Sequence, residues 1–246
     1  MAVDLNIDLG ELPDEPEELY ALPTVVNLAC GGHAGDVESM RRSFELALRY
    51  GPRIAAHPSY PDREQFGRAR MAIPLEMLFE SIVAQVTTLS MVGAEMGAAL
   101  WGAKLHGALY HAAAEDAQLA DAVLDAIVTA CSDKLVIVGP AGGHLETACQ
   151  KRRLRYAREG FADRSYDAQG QLVPRGAPGD VITDPSVCAD QALRLARGGA
   201  VETICLHGDT PHAVAIAREV RAVLERHELL SAETANPISE EPPPFR

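Results

Sequence analysis

The chain lacks the features that mark several large classes of protein. None of its 246 residues fall in a run approaching the roughly 18 consecutive apolar residues of a membrane span. Its start, Met1-Ala2-Val3-Asp4, has neither the basic region nor the apolar stretch of a secretory signal, so a cytoplasmic protein is expected. The five cysteines (Cys30, Cys131, Cys149, Cys188, Cys205) are odd in number, scattered, and form no C-x-x-C pair. A disulfide framework or zinc knuckle is therefore not expected, and Cys131, Cys149 and Cys188, in helical stretches, read as small buried hydrophobes. Basic residues are also scarce. With 22 Lys and Arg against 35 Asp and Glu, the net charge is -13, which argues against an extended nucleic-acid surface but not against a local basic pocket for a small anion. There is no G-x-x-x-x-G-K-[ST] phosphate loop and no H-x-x-x-H ligand pair.

What is present is a regular alternation. Short β-type runs at residues 3–7, 24–28, 53–56, 100–104, 135–138, 153–157 and 202–206 are separated by helical patterns. Asp36 is placed to cap a helix over 37–50 that stops before Gly51. Pro74 opens a long one with Leu75, Leu78, Phe79, Ile82, Val83 and Val86 on one face, and Ala120, Val123, Leu124, Ile127 and Cys131 make a second stripe. Asp184-Pro185 begins another, ended by Gly198-Gly199, and Thr210-Pro211 opens the last, to about residue 228. Residues 166–173 read as a hairpin around Gln169-Gly170. Residues 1–230 are expected to form one domain and 231–246 a flexible tail. Seven strands alternating with helices predict an α/β fold with a parallel sheet, and periodicity alone leaves its closure undecided.

The polar residues carry the functional signal. Asp8 and Glu11 follow the first strand, Asn27 and then His33 and Asp36 the second, and His57, Tyr60, Asp62 and Arg68 the third. Lys104 and His106 follow the fourth, Asp163 and Arg164 the sixth, and His207 and Asp209 the seventh. In parallel α/β folds ligands bind at that edge, because the loops converge there. Five of the eight histidines, His33, His57, His106, His111 and His207, belong to these loops. Simpler roles compete at some positions. Asp36 and Asp209 stand where helix caps stand, His57 before Pro58 fits a hydrogen-bonded core histidine, and the glycines at 31, 32 and 35 fit a plain turn. A lysine closing an apolar strand must be paired or face a pocket, and Lys104 is read as facing one. On that reading Lys104→Met removes turnover and spares the fold.

These same loops resemble the 5-oxoprolinase A-subunit family, also called the LamB/YcsF or lactam-utilisation family. The matching blocks are DLNIDLGE (4–11), NLACGGHAGD (27–36), AHPSYPD (56–62) with FGR (66–68), KLHGALY (104–110), FADRSY (161–166), LVPR (172–175) and CLHGDTP (205–211). Departures stand at Ile7, Gly32 and Leu105, where the family usually has Cys, Phe and Pro, and the 12–24 and 197–203 segments are short; the pocket wall is expected to be altered. The resemblance implies a distorted, seven-stranded (β/α) barrel of the glycoside hydrolase/deacetylase type. It also implies ATP-dependent opening of 5-oxoproline to L-glutamate, with Mg2+ accompanying ATP and with partner subunits B and C. On that basis Asp8, Glu11, His57, Lys104 and His106 are candidate catalytic groups. Asn6, Asn27, His33, Asp36, Tyr60, Asp62, Arg68, Asp163, Arg164, His207 and Asp209 are candidates for holding substrate. Two other classes remain open: a metal-dependent amidase or deacetylase with Asp8, His33, His57 and His106 around a divalent ion, and a non-catalytic lactam-binding subunit.

Overall fold

Strand β1 (Asp4–Leu9) alternates two kinds of side chain, and that alternation sets the architecture. Leu5, Ile7 and Leu9 face one way and are fully buried in the main apolar core, while Asn6 and Asp8 face the other. A strand with one apolar and one polar buried face fits a barrel whose outer surface is covered by helices and whose lumen is filled with polar groups. The computed structural model, which describes residues 2–131 and 134–232, has that form. β2 (Val25–Ala29), β3 (Arg53–His57), β4 (Gly102–Lys104), β5 (Val136–Pro140), β6 (Arg155–Phe161) and β7 (Thr203–His207) follow in order, all parallel, and β7 pairs back onto β1 to close the ring. The sheet is thus a closed seven-stranded parallel barrel.

Directly paired residues share a face, so the register names the lumen. Asp8 pairs with Asn27 on one side and His207 on the other; Lys104 pairs with Val138, Glu159 with Thr203, and Phe161 with Cys205. Val136, Val138 and Ala157 form a small separate apolar cluster with Trp101, on whose ring the Arg53 guanidinium stacks at 4.3 Å. β4 is short and begins on a glycine for a steric reason: a Cβ at Gly102 would lie 2.6 Å from the Val136 carbonyl oxygen.

Most helices begin and end where capping chemistry puts them. α1 (Val37–Tyr50) starts in a capping box between Asp36 and Ser39 and stops at Gly51, whose φ of 86° suits glycine. α2 (Leu75–Glu95) is long and apolar enough by composition to cross a membrane, yet Leu78, Ile82, Val86 and Leu89 are buried in the core of the barrel. α4 (Ala117–Ala130) and α6 (Pro185–Gly198) are capped by Asp116 and Asp184. α7 (Ala213–Arg226) begins later than Thr210-Pro211 suggests, because the Thr210 hydroxyl donates to Asp163 (2.8 Å) instead of capping a helix. β6 likewise starts at Arg155, since Arg153 is the left-handed cap of the preceding helix. That helix, α5 (Gly143–Arg152), α3 (Gly107–Glu115) and a 3-10 turn at Glu17–Tyr20 have no counterpart in the sequence pattern. His111, assigned to a loop, is in α3; of the helical cysteines, Cys149 and Cys188 are buried and Cys131 is half-buried at a helix end. The hairpin at 166–173 is reduced to one antiparallel bridge, Tyr166 to Leu172, with Gly170 at its turn. Ser231 donates its backbone N–H to Val3, and the rest of the expected tail, from 233 onward, lies outside the described residues.

Candidate active site

At the C-terminal mouth of the barrel a cavity of about 480 Å3 opens between the strand ends and the loops. That volume is in the range of small-molecule sites. Asp8, His57, Lys104, His106, Phe161 and His207 form its inner end, and Arg68, Arg70, Arg164 and Arg175 stand around its rim.

Asp8 is the centre of the inner end. Its Oδ1 accepts from Lys104 Nζ (2.9 Å) and Asn27 Nδ2 (2.8 Å), which leaves Oδ2 facing His57 Nε2 at 3.2 Å and His207 Nε2 at 3.9 Å. Burial works to raise Asp8, but the charges of His57 and Lys104 outweigh it and hold the carboxyl well below its usual range. Lys104 is equally committed. Its ammonium also contacts Glu159 (3.1 Å), the Asn6 carbonyl oxygen (3.3 Å) and Cys205 Sγ (2.9 Å). With three protons and four acceptors, this amine lines the cavity as expected and is at the same time the cation of a buried network. Burial alone would lower Lys104, yet Asp8, Cys205 and Glu159 raise it well above its ordinary value.

Asn6 and Asn27 support this layer from beneath and are not on the cavity wall. Asn6 donates to Glu159 (2.9 Å) and Thr203 (2.7 Å), and Asn27 donates to Asn6 (2.7 Å) as well as to Asp8. Opposite them, Asp163 is buried and holds His207 by its ring Nδ1 (3.0 Å) and its backbone N–H (2.9 Å). Burial opposes charge on His207, but Asp163 and then Asp8 outweigh it and raise the imidazole above its usual value, favouring its charged form.

His33 and His106 gather around Glu11, which lies behind the cavity wall. Glu11 Oε1 lies 2.8 Å from His33 Nε2 and 3.2 Å from His106 Nδ1. Burial tends to raise Glu11, but His106 and His33 beside it hold it well below the ordinary range. Burial also pushes His33 down to about 4 and lowers His106, so both rings are neutral at pH 7. The loop after β3 presses on them. Phe66, in the left-handed region at φ 54°, offers its carbonyl to His106 Nε2 (2.9 Å), and a Cβ on Gly67 would sit 3.0 Å from His33 Cβ.

Other expected site residues sit elsewhere. Asp36 caps α1 at the surface, Asp62 accepts from Gln65 N–H within its own loop, and Tyr60 is buried off the cavity. Asp209 pairs with Arg68 and, at 3.4 Å, with Arg175, so it arranges the rim. Arg164 is on the wall, donating to the Asp180 and Val173 carbonyls (3.2 and 2.7 Å). Phe161, Arg70, Glu159 and Arg175 are among the residues at the site that were missed. Glu159 lies two residues past where β6 was expected to end, and Arg175 sits in a matching block whose cation was passed over. Of the departures from the family pattern only Leu105 lines the cavity. Ile7 faces the core, and the space beside Gly32 is taken by Gln85, 2.4 Å from where a Cβ would be.

Comparison with known proteins agrees with this architecture. The LamB/YcsF family model matches residues 3–239, and the chain belongs to that family. It is 35% identical to a lactam utilization protein from Thermus thermophilus, with 94% of this chain and 98% of that one covered and a TM-score of 0.85. A family 4 carbohydrate esterase from Streptomyces lividans shares the fold at 12% identity (TM-score 0.52, 94% and 91% covered). So does a family 39 glycoside hydrolase from Bacteroides cellulosilyticus at 11% identity (TM-score 0.50, 90% and 63% covered).

Proposed function

We propose that the chain opens a small cyclic amide, 5-oxoproline, to L-glutamate in the cytoplasm, as the A-type component of an ATP-dependent hydrolase completed by subunits B and C. The observation that carries this reading is the Asp8 carboxylate set 3.9 Å from the His207 imidazole, itself held by Asp163, in one small cavity under an arginine rim. Membership of the LamB/YcsF family and likeness to a lactam utilization protein support the substrate class.

Asp8 takes a proton from water as its oxygen bonds to the lactam carbonyl carbon, and Lys104 and Asn27 fix the carboxylate for that task. As the carbon–nitrogen bond breaks, His207, held by Asp163, gives its proton to the departing ring nitrogen. Nothing in the sequence forms a Walker-type loop, so the rim is the part of this chain that suits an anion. ATP, with Mg2+, would supply a phosphoryl group that activates the lactam oxygen; ring opening would leave it on the new carboxyl, from which a second water releases phosphate, and Arg68 and Arg175 are the residues that would hold the phosphates. The same arginines suit the substrate carboxylate. Arg175 Nη1 is buried with no hydrogen-bond partner, and Arg164 stands beside the same wall.

Calorimetry on the isolated chain tests the substrate assignment. 5-Oxoproline should bind and 2-pyrrolidinone, the same ring without a carboxylate, should not. Arg175→Met should weaken 5-oxoproline binding on the order of 10-fold or more, the value of a charge-assisted hydrogen bond. Equal affinity for the two lactams, or binding untouched by Arg175→Met, would sink the assignment.

A further inference from the structure

Glu11, His33, His57 and His106 each offer one donor atom within 4.8 Å of the others, but the His33 and His106 rings are stacked and parallel with centroids 3.6 Å apart, so no single ion lies in the plane of both. Among Glu11, His57 and His106 the separations are 3.0 Å (His106–His57), 3.2 Å (His106–Glu11) and 3.7 Å (His57–Glu11), while His33 Nε2 lies 2.8 Å from Glu11. A tetrahedral ion with bonds of about 2.0–2.1 Å sets its ligand atoms roughly 3.3 Å apart. The set brackets that spacing.

The hydrogen bonds of two of these rings leave a conflict that a cation would resolve. His57 Nδ1 is 2.8 Å from the Lys104 carbonyl oxygen, and His106 Nε2 is 2.9 Å from that of Phe66. A carbonyl only accepts, so those nitrogens carry the protons. With both rings neutral, His57 Nε2 and His106 Nδ1 face each other at 3.0 Å as bare lone pairs; with His57 charged, its one Nε2 proton must serve both His106 and Asp8. Such an N–H to a backbone carbonyl is how metal-ligating histidines are oriented. Glu11 Oε1, 3.2 Å from His106 Nδ1, opens on the same space. His33 Nδ1, buried, has no partner of its own. A second group, Asp8, Cys205 and His207, already holds a cation: Lys104 Nζ lies 2.9 Å from both Asp8 Oδ1 and Cys205 Sγ.

We propose that Glu11, His57 and His106 bind one divalent transition-metal ion, with His33 holding the Glu11 carboxylate from behind. Two imidazoles and one carboxylate favour Zn2+, Co2+ or Ni2+ over Mg2+ or Ca2+, whose sites are built from oxygen. The ion lies beside Asp8, whose Oδ2 is 3.2 Å from His57 Nε2. The site itself stands on geometry; its use in ring opening rests on the function proposed above, where the ion would polarise the amide carbonyl next to the base.

The test uses the full chain stripped with chelator and titrated with Co2+, followed by visible absorption, with Zn2+ as competitor. One equivalent should bind and give the spectrum of a four- or five-coordinate ion. His57→Gln and His106→Gln should each weaken binding by at least the ~10–100-fold that loss of an outer partner costs. Glu11→Gln, nearly isosteric, serves if a histidine variant fails to fold, and His144→Gln, exposed at the start of α5, should bind as wild type. Absence of stoichiometric binding by the wild-type chain overturns the proposal, as does affinity unchanged in the folded site variants. Lactam binding measured on the same samples keeps this failure distinct from failure of the substrate assignment.

Discussion

Lys104 has three protons to give and, within 3.3 Å, an Asp8 oxygen, a Glu159 oxygen, the Asn6 carbonyl oxygen and Cys205 Sγ to receive them. Replacing it with Met would leave two carboxylates in the lumen without their cation. Breaking a buried pair in this way costs about 3–5 kcal/mol, which for a domain of this size is a fall of roughly 6–20 °C in thermal midpoint. Lys104→Met should therefore lose stability and turnover together, measured by thermal melting and by lactam hydrolysis in the reconstituted enzyme. An unchanged midpoint would mean that the network does not depend on this charge. A strand-end lysine in a sequence announces that its charge must be matched, but not by what. Its partner Glu159 was hidden because a glutamate in a run of alternating character looks solvent-facing until the strand is known to reach Phe161.

At the scale of elements, the segment joining β1 to the 3-10 turn is held by one carboxyl. Glu15 accepts from Gly10 N–H and the Tyr20 hydroxyl, each at 2.8 Å, and so fixes the loop that carries Glu11. Burial pushes Glu15 up to about 7 from the ordinary 4.5. Between those values the folded state holds a proton that the unfolded state has released, so stability falls as pH rises. The contribution is complete below the unfolded value of 4.5 and lost above about 7, worth ~3 kcal/mol at most. Glu15→Gln should remove this slope, and its unfolding free energy relative to wild type should rise between pH 5 and 8. A difference constant over that range would contradict the assignment. Elements with explicit punctuation, such as α1 between Asp36 and Gly51, were legible in the sequence. Those without it were not. α3 begins on Gly107 with no side-chain cap, and α5 begins on Gly142-Gly143 with a stripe of only Leu145, Ala148 and Cys149 among polar residues.

Over the whole molecule, the clustering of His, Asp and Lys after successive strands was enough to locate the cavity, since parallel strands deliver their C-terminal ends to one face. Closure of the sheet was not readable, because an edge strand and a barrel strand carry the same pattern. What closes it is the register of β1 with β7, from Asp4 opposite Thr203 to Asp8 opposite His207. That pairing also brings the two groups assigned to base and acid side by side. The charge distribution is uneven in a way composition hides: a chain of net charge -13 concentrates four arginines on one rim. Asp209 is shared by Arg68 and Arg175 and Glu115 pairs with Arg70, so the rim keeps an excess of positive charge that would draw an anion. The central claim is that this barrel mouth opens the lactam, and glutamate release from 5-oxoproline by the chain co-expressed with subunits B and C, supplied with ATP, tests it most directly. Release should require this chain and should fall on the order of 10²-fold or more in Asp8→Asn; release that persists without the chain, or at the wild-type rate with Asn at that position, would contradict the account.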